Sequence, residues 1–181
     1  MIEHRAFVVA EIPEPVRSQV QALRDSLNTL TAKLPVEITL AGSSGVGPIP
    51  AGTDLSLVKS HLDRILPGIC PFITQFSAIR RFPNVPIFYL EPFDRSPFDR
   101  VHQKLRASGI PFLPIQWPYT PHCTLRGGKP LSAEEASELA SRTFPQEEFW
   151  INTVSVYELH ETALEFKLVY QETLGACQDV C

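Results

Sequence analysis

Apolar residues recur along this chain with two periods, the twofold alternation of strands and the longer repeat of helices. Ala6 to Glu11 reads as a first strand. Pro15 suits the first turn of a helix, and Val16, Val20, Leu23, Leu27 and Leu30 behind it form one predicted buried stripe. Val36 to Ala41 is a second strand, and the glycine- and serine-rich run from Gly42 to Pro48 is a loop. Asp54 to Leu66 is a second helix, with Leu55, Val58, Leu62 and Ile65 inward and Pro67-Gly68 as its stop. Phe72 to Phe82 and Val85 to Leu90 read as two strands joined at Pro83-Asn84. Ser96-Pro97 opens a third helix with Phe98, Val101 and Leu105 on one face. A strand spans His122 to Gly127, and Ser132 with Glu135 predicts a capping box for a fourth helix. Phe149 to Leu159 and Leu164 to Gln171 read as a closing hairpin turned at residues 160–163. In its second strand Leu164, Phe166, Leu168 and Tyr170 share one face.

The pattern predicts an α+β chain of two lobes, each a set of antiparallel strands with helices outside, around a central cleft. The strand-and-helix unit before residue 41 is echoed by the one before residue 127, as in an internal duplication. Residues 1–175 read as one two-lobed domain and 176–181 as a tail. No apolar run approaches a membrane span. Met1-Ile2-Glu3-His4-Arg5 lacks the basic-then-apolar pattern of a secretory signal, so the expected location is the cytoplasm.

Charge narrows the partners. A net charge of −4 is a poor match for long nucleic acid, which needs a broad basic face. The basic spots are local, Arg80-Arg81 and Arg126 with Lys129, which suits a small pocket for one or two phosphates. A monomer is expected. Cys70 and Cys123 lie in strand-like segments and read as small buried apolar residues. Cys177 and Cys181 lack further ligands nearby and make a poor zinc site.

Pro121-His122-Cys123-Thr124-Leu125 carries the chemistry. Alternation along a strand puts His122, Thr124 and Arg126 on one face and Cys123 and Leu125 on the other. An imidazole, a hydroxyl and a guanidinium on one surface suit a phosphodiester. Glu37-Ile38-Thr39-Leu40 has the same shape, with a carboxylate in place of the imidazole. Each residue also has a plainer reading. Glu37 could be a solvated strand residue and His122 a satisfied core histidine. Arg126 could hold phosphate or mark the wet end of its strand. Trp117 and Tyr119 could stack on a base or pack at the cleft rim. His61 and His102 read as surface or boundary residues. His160 reads as a solvated turn residue, though it could reach the cleft and stand in for the imidazole.

The order of elements, the opening Ala6-Phe7-Val8-Val9-Ala10-Glu11-Ile12-Pro13 and the two motif strands together resemble the two-histidine (2H) phosphoesterase superfamily. That superfamily includes RNA 2′,3′-cyclic phosphodiesterases and 2′-5′ RNA ligases. The resemblance covers nearly the whole chain. It implies a metal-independent, cofactor-free site for a small nucleotide or RNA-end phosphate, with His122 as acid or base and Thr39 and Thr124 as phosphate ligands. The chain departs from the pattern at Glu37, where the first motif histidine belongs, and three outcomes compete. Glu37 could act as base with His122 as acid; it could act as an acid only if burial raised its pKa by roughly two units or more. The cleft could take a different ligand, with a cation or hydroxyl facing Glu37. Or catalysis could be lost, leaving a nucleotide- or phosphate-binding module on an enzyme fold.

Overall fold

A computed structural model describes residues 1–27, 29–160 and 164–175. Strand β1 (Arg5–Glu11) leads into helix α1 (Val16–Ser26), and a 3-10 turn at Leu30–Lys33 delivers the chain to β2 (Glu37–Ala41). Helix α2 (Leu55–Ile65) is followed by β3 (Phe72–Thr74), β4 (Phe76–Arg81) and β5 (Phe88–Pro92). Then come α3 (Ser96–Arg106), β6 (Cys123–Arg126), α4 (Ala133–Ala140), β7 (Phe149–Ile151), β8 (Thr153–His160) and β9 (Glu165–Thr173).

The strands form three antiparallel sheets, in the orders β2-β1-β8-β9, β4-β5-β6 and β3-β7. The expected two-lobed α+β architecture is the observed one. The unit β1-α1-β2 is matched by β5-α3-β6, and in both the motif strand ends at the edge of its sheet. Local signals set the helix starts. Asp54 caps α2 by accepting from the Ser56 amide, and both bonds of the Ser132–Glu135 capping box are present at α4. The core is continuous across the lobes, and Ile38, Leu40, Phe98, Leu105, Cys123 and Leu125 all belong to it. Among the described residues no helix is long and apolar enough to cross a membrane.

Several expectations need correction. The runs from Phe72 to Phe82 and from Phe149 to Leu159 each divide between two sheets. Gln75 separates β3 from β4, and Asn152 separates β7 from β8, because each run leaves one sheet and enters another. Leu30 is 66% exposed, since α1 ends at Ser26 before the helical stripe can reach it. In β9 a register shift opposite Val156/Tyr157 breaks the clean alternation. Val169 and Tyr170 both pack on the core, while Leu168 is exposed. Cys70 is exposed and disulfide-bonded, not a buried apolar residue. Cys123 is buried and free. Cys177, Cys181 and the turn residues 161–163 lie outside the described residues.

Candidate active site at the seam between two edge strands

The motif strands present matched faces. On β2, Glu37 and Thr39 are half-buried, while Ile38 and Leu40 turn into the core. On β6, Thr124 and Arg126 are half-buried, while Cys123 and Leu125 turn inward. Each strand therefore keeps its polar motif residues on the side opposite the core, as alternation requires.

β2 and β6 belong to different sheets, so no ladder joins them. Side chains fill the seam and satisfy its backbone carbonyls. The Tyr119 hydroxyl donates to the Thr39 carbonyl at 3.3 Å. His102 Nδ1 lies 2.7 Å from the Leu40 carbonyl, a geometry in which the ring nitrogen donates. Arg24 Nε donates to the Thr124 carbonyl at 2.8 Å, and its Nη1 donates to the Leu34 and Pro35 carbonyls at 2.8 and 2.9 Å. The Cys123 thiol lies against both the Glu37 amide and the Arg24 guanidinium. Each lobe's helix thus reaches across to pin the other lobe's motif strand, Arg24 from α1 and His102 from α3.

Arg24 is 1% exposed and was not singled out in the sequence. Its signal was its place: it follows Val16 and Val20 at helical spacing on the apolar stripe of α1. Burying a guanidinium without a carboxylate is costly. Hydrogen bonds from a charged donor, roughly 1.5–3 kcal/mol each, offset that cost here. His102 is likewise buried, not a boundary residue. Its ring stacks on Tyr119 with centroids 3.8 Å apart and planes at 4°. Gly45, at φ +74°, passes so close that a Cβ there would collide with the His102 ring and with the Tyr119 Cβ.

Glu37 sits in a protected place. Its Oε1 accepts from Thr39 Oγ1 at 3.0 Å, and its Oε2 is enclosed without a hydrogen-bond partner. Burial pushes its carboxyl pKa up to about 7, against the opposing pull of the Thr39 hydrogen bond and the Arg24 charge. His122 is 7% exposed. Its ring meets Phe82 edge-on at 4.9 Å and Tyr89 at 5.4 Å. Nδ1 lies 2.7 Å from the Thr120 carbonyl, which fixes the proton on Nδ1 and leaves the Nε2 lone pair available. Burial lowers the pKa of His122, against the Thr120 hydrogen bond.

The other predicted site residues fall around this seam in different ways. Tyr89 pairs with Thr124 in the β5–β6 register, so an aromatic ring the sequence reading missed flanks the motif hydroxyl. Arg126 donates from Nη1 to the Lys129 carbonyl at 2.9 Å and so is partly engaged in its own turn. Tyr119 has one ring face covered by His102. Trp117 is 59% exposed and lines, with Tyr119, His102 and Arg106, a depression of about 830 Å³. None of Glu37, Thr39, His122 or Thr124 lines that depression. His160 packs edge-on against His4, at the Arg5 end of β1, whereas Glu37 pairs with Glu11 at the other end. No hydrogen bond joins Glu37 to His122 among the described residues; the seam side chains connect their strands. Among the described residues there is also no cluster of three or more His, Cys, Asp or Glu able to hold a metal ion.

A family model for the 2′-5′ RNA ligase superfamily matches residues 12–163. The chain belongs to this superfamily. Membership in the 2′-5′ RNA ligase superfamily supports phosphodiesterase-type chemistry in general. The fold agrees. The TT0787 protein of Thermus thermophilus aligns with a TM-score of 0.68 at 19% identity, covering 95% of this chain and 98% of that one. LigT of Escherichia coli, in a complex with 3′-AMP, aligns with a TM-score of 0.65 at 16% identity over 94% of this chain and 98% of its own. A structure described as a phosphoesterase aligns with a TM-score of 0.61 at 17% identity over 95% and 99% of the two chains. No curated protein matches the chain.

Proposed function

We propose that the protein is a phosphodiesterase acting on a small cyclic phosphate or a 2′,5′-linked nucleotide or RNA end, with His122 as general base and Glu37 as general acid. The observation that carries this reading is the pair of matched polar faces on β2 and β6, held side by side across one seam. The surroundings favour a division of labour opposite to Glu37 as base. A buried imidazole with its proton fixed on Nδ1 is neutral near pH 7 and offers Nε2 as a base. A carboxyl group with its pKa at about 7 keeps a proton to donate. Environments that push two such groups in opposite directions assign their roles.

In hydrolysis, His122 Nε2 takes a proton from water as the water oxygen bonds to phosphorus. The bond from phosphorus to one ribose oxygen breaks, and Glu37 gives that oxygen its proton. Thr39 and Thr124 donate hydrogen bonds to the phosphoryl oxygens, where charge accumulates. Arg126, half-buried on the same face, adds its charge. Protonated Glu37 also removes the repulsion that an ionised carboxylate would exert on the substrate. Complexes of E. coli LigT with 3′-AMP, phosphate and ATP support a small nucleotide or phosphate as the ligand class.

The second reading is a catalytically silent nucleotide- or phosphate-binding protein, and the 7% exposure of His122 favours it. Turnover of a nucleoside 2′,3′-cyclic phosphate separates the two. For an enzyme, His122→Ala lowers turnover by at least about a hundredfold, the usual scale for an acid–base group. A wild type that binds the nucleotide and does not turn it over is the silent module.

A further inference from the structure

We propose that Arg24 is a positioning residue for this site: its guanidinium ties motif strand β6 to the segment that leads into motif strand β2 and places a fixed positive charge under the anion they hold. This inference rests on the reading of the seam as a phosphodiester site. It starts from a residue whose place needs explaining. Arg24 lies on the buried stripe of α1, 1% exposed, where an apolar side chain of similar length would pack. Among the described residues no carboxylate pairs with it; its donors go to carbonyls and a thiol.

Those acceptors are distributed across the seam. Thr124 and Cys123 belong to β6, and Leu34 and Pro35 lead directly into β2. A planar fork can span them, and a flexible ammonium cannot. Because no ladder joins β2 to β6, the spacing of Thr39 and Thr124 depends on what the seam contains. The charge has a matching role. The titratable groups facing Glu37 are Arg24 from α1, Glu11 from β1, Tyr119 from the segment before β6, and Cys123 on β6. Arg24 is the cation of that set. A bound phosphodiester brings a negative charge to the polar side of the same strands, and a buried cation below them is attracted to it through a low dielectric.

Two substitutions separate geometry from charge. Arg24→Met removes both, and Arg24→Lys keeps the charge and loses the fork. Binding of inorganic phosphate, measured by calorimetry, should weaken by at least about tenfold in Arg24→Met and by less than about threefold in Arg24→Lys. With a nucleoside 2′,3′-cyclic phosphate, kcat should fall about tenfold or more in both, while KM rises only in Arg24→Met. Arg24→Met protein with a native circular dichroism spectrum and wild-type phosphate affinity overturns the proposal. Should Arg24→Met not fold, the wild type supplies the measurement. The Arg24 Nε–H resonance should move on titration with phosphate, and an unmoved resonance at saturation overturns the proposal equally. A wild type that binds phosphate through this seam but has no turnover defeats the catalytic reading alone and leaves the role of Arg24 standing.

Discussion

Thr39 Oγ1 donates to Glu37 Oε1 at 3.0 Å, so the hydroxyl proposed for the phosphate is spent on the carboxyl group of its own strand. Substrate has to draw that hydroxyl away, and the carboxyl then loses a bond that had favoured its charged form. Binding itself would therefore push Glu37 toward the protonated acid. Thr39→Val should lower kcat/KM by about a hundredfold, in the range seen for loss of one donor to a developing oxyanion. Thr39→Ser, which keeps the hydroxyl, should recover most of it. Equal activity in all three proteins would remove Thr39 from the site.

The pH profile follows from the same two groups. In the proposed mechanism the active form has neutral His122 and protonated Glu37. Activity should rise with pH while His122 loses its proton, at values below the ordinary 6.5 for an imidazole. It should fall above about 7 as Glu37 ionises. The expected kcat/KM profile is a bell on the acid side of neutrality. A plateau extending two units above neutrality would show that Glu37 is not the acid.

Glu37 should also weigh on stability. Its folded pKa of about 7 lies above the ordinary 4.5, so between these values the unfolded chain has released a proton that the folded chain retains. Folding stability contributed by this group is full below about 4.5 and is lost as pH rises through about 7. The loss is on the order of 3 kcal/mol at about pH 8. Glu37→Gln should therefore match the wild type near about pH 4 and exceed its urea stability near about pH 8 by up to about 3 kcal/mol, while losing activity. A wild type as stable as Glu37→Gln at the higher pH would mean that Glu37 ionises without penalty.

Much of this site was legible before the fold was known, because strand alternation is a local rule. The faces of Glu37-Thr39 and Thr124-Arg126 came from spacing alone, and the structure keeps them. What spacing could not reveal is what lies between two strands distant in the chain. Arg24 and His102 are polar residues on apolar helical faces, and their acceptors exist only once the lobes meet. Tyr89 escaped notice because its place beside Thr124 depends on register. The raised pKa of Glu37 comes from enclosure, which composition does not reveal. The divided runs at Gln75 and Asn152 show the same limit, since one apolar stretch can serve two sheets in succession.

Glu37→His tests the departure from the paired-histidine pattern directly. An imidazolium at this position would attract an anionic phosphodiester, whereas the protonated carboxyl is neutral. It would also leave Thr39 without its carboxylate acceptor and so free the hydroxyl for the phosphoryl oxygens. Both effects act in one direction. Hydrolysis of a nucleoside 2′,3′-cyclic phosphate near about pH 6 should rise by about tenfold in kcat/KM, a change of about 1.4 kcal/mol in the barrier. The gain should shrink as pH rises and the new imidazole loses its charge. The seam sets the condition for this outcome, because Tyr119 and Cys123 hold the strand that carries the position and Arg24 holds the segment that leads into it. An unchanged rate across that range, in protein of native stability, would place the divergence in the spacing of β2 and β6 and not in the identity of one side chain.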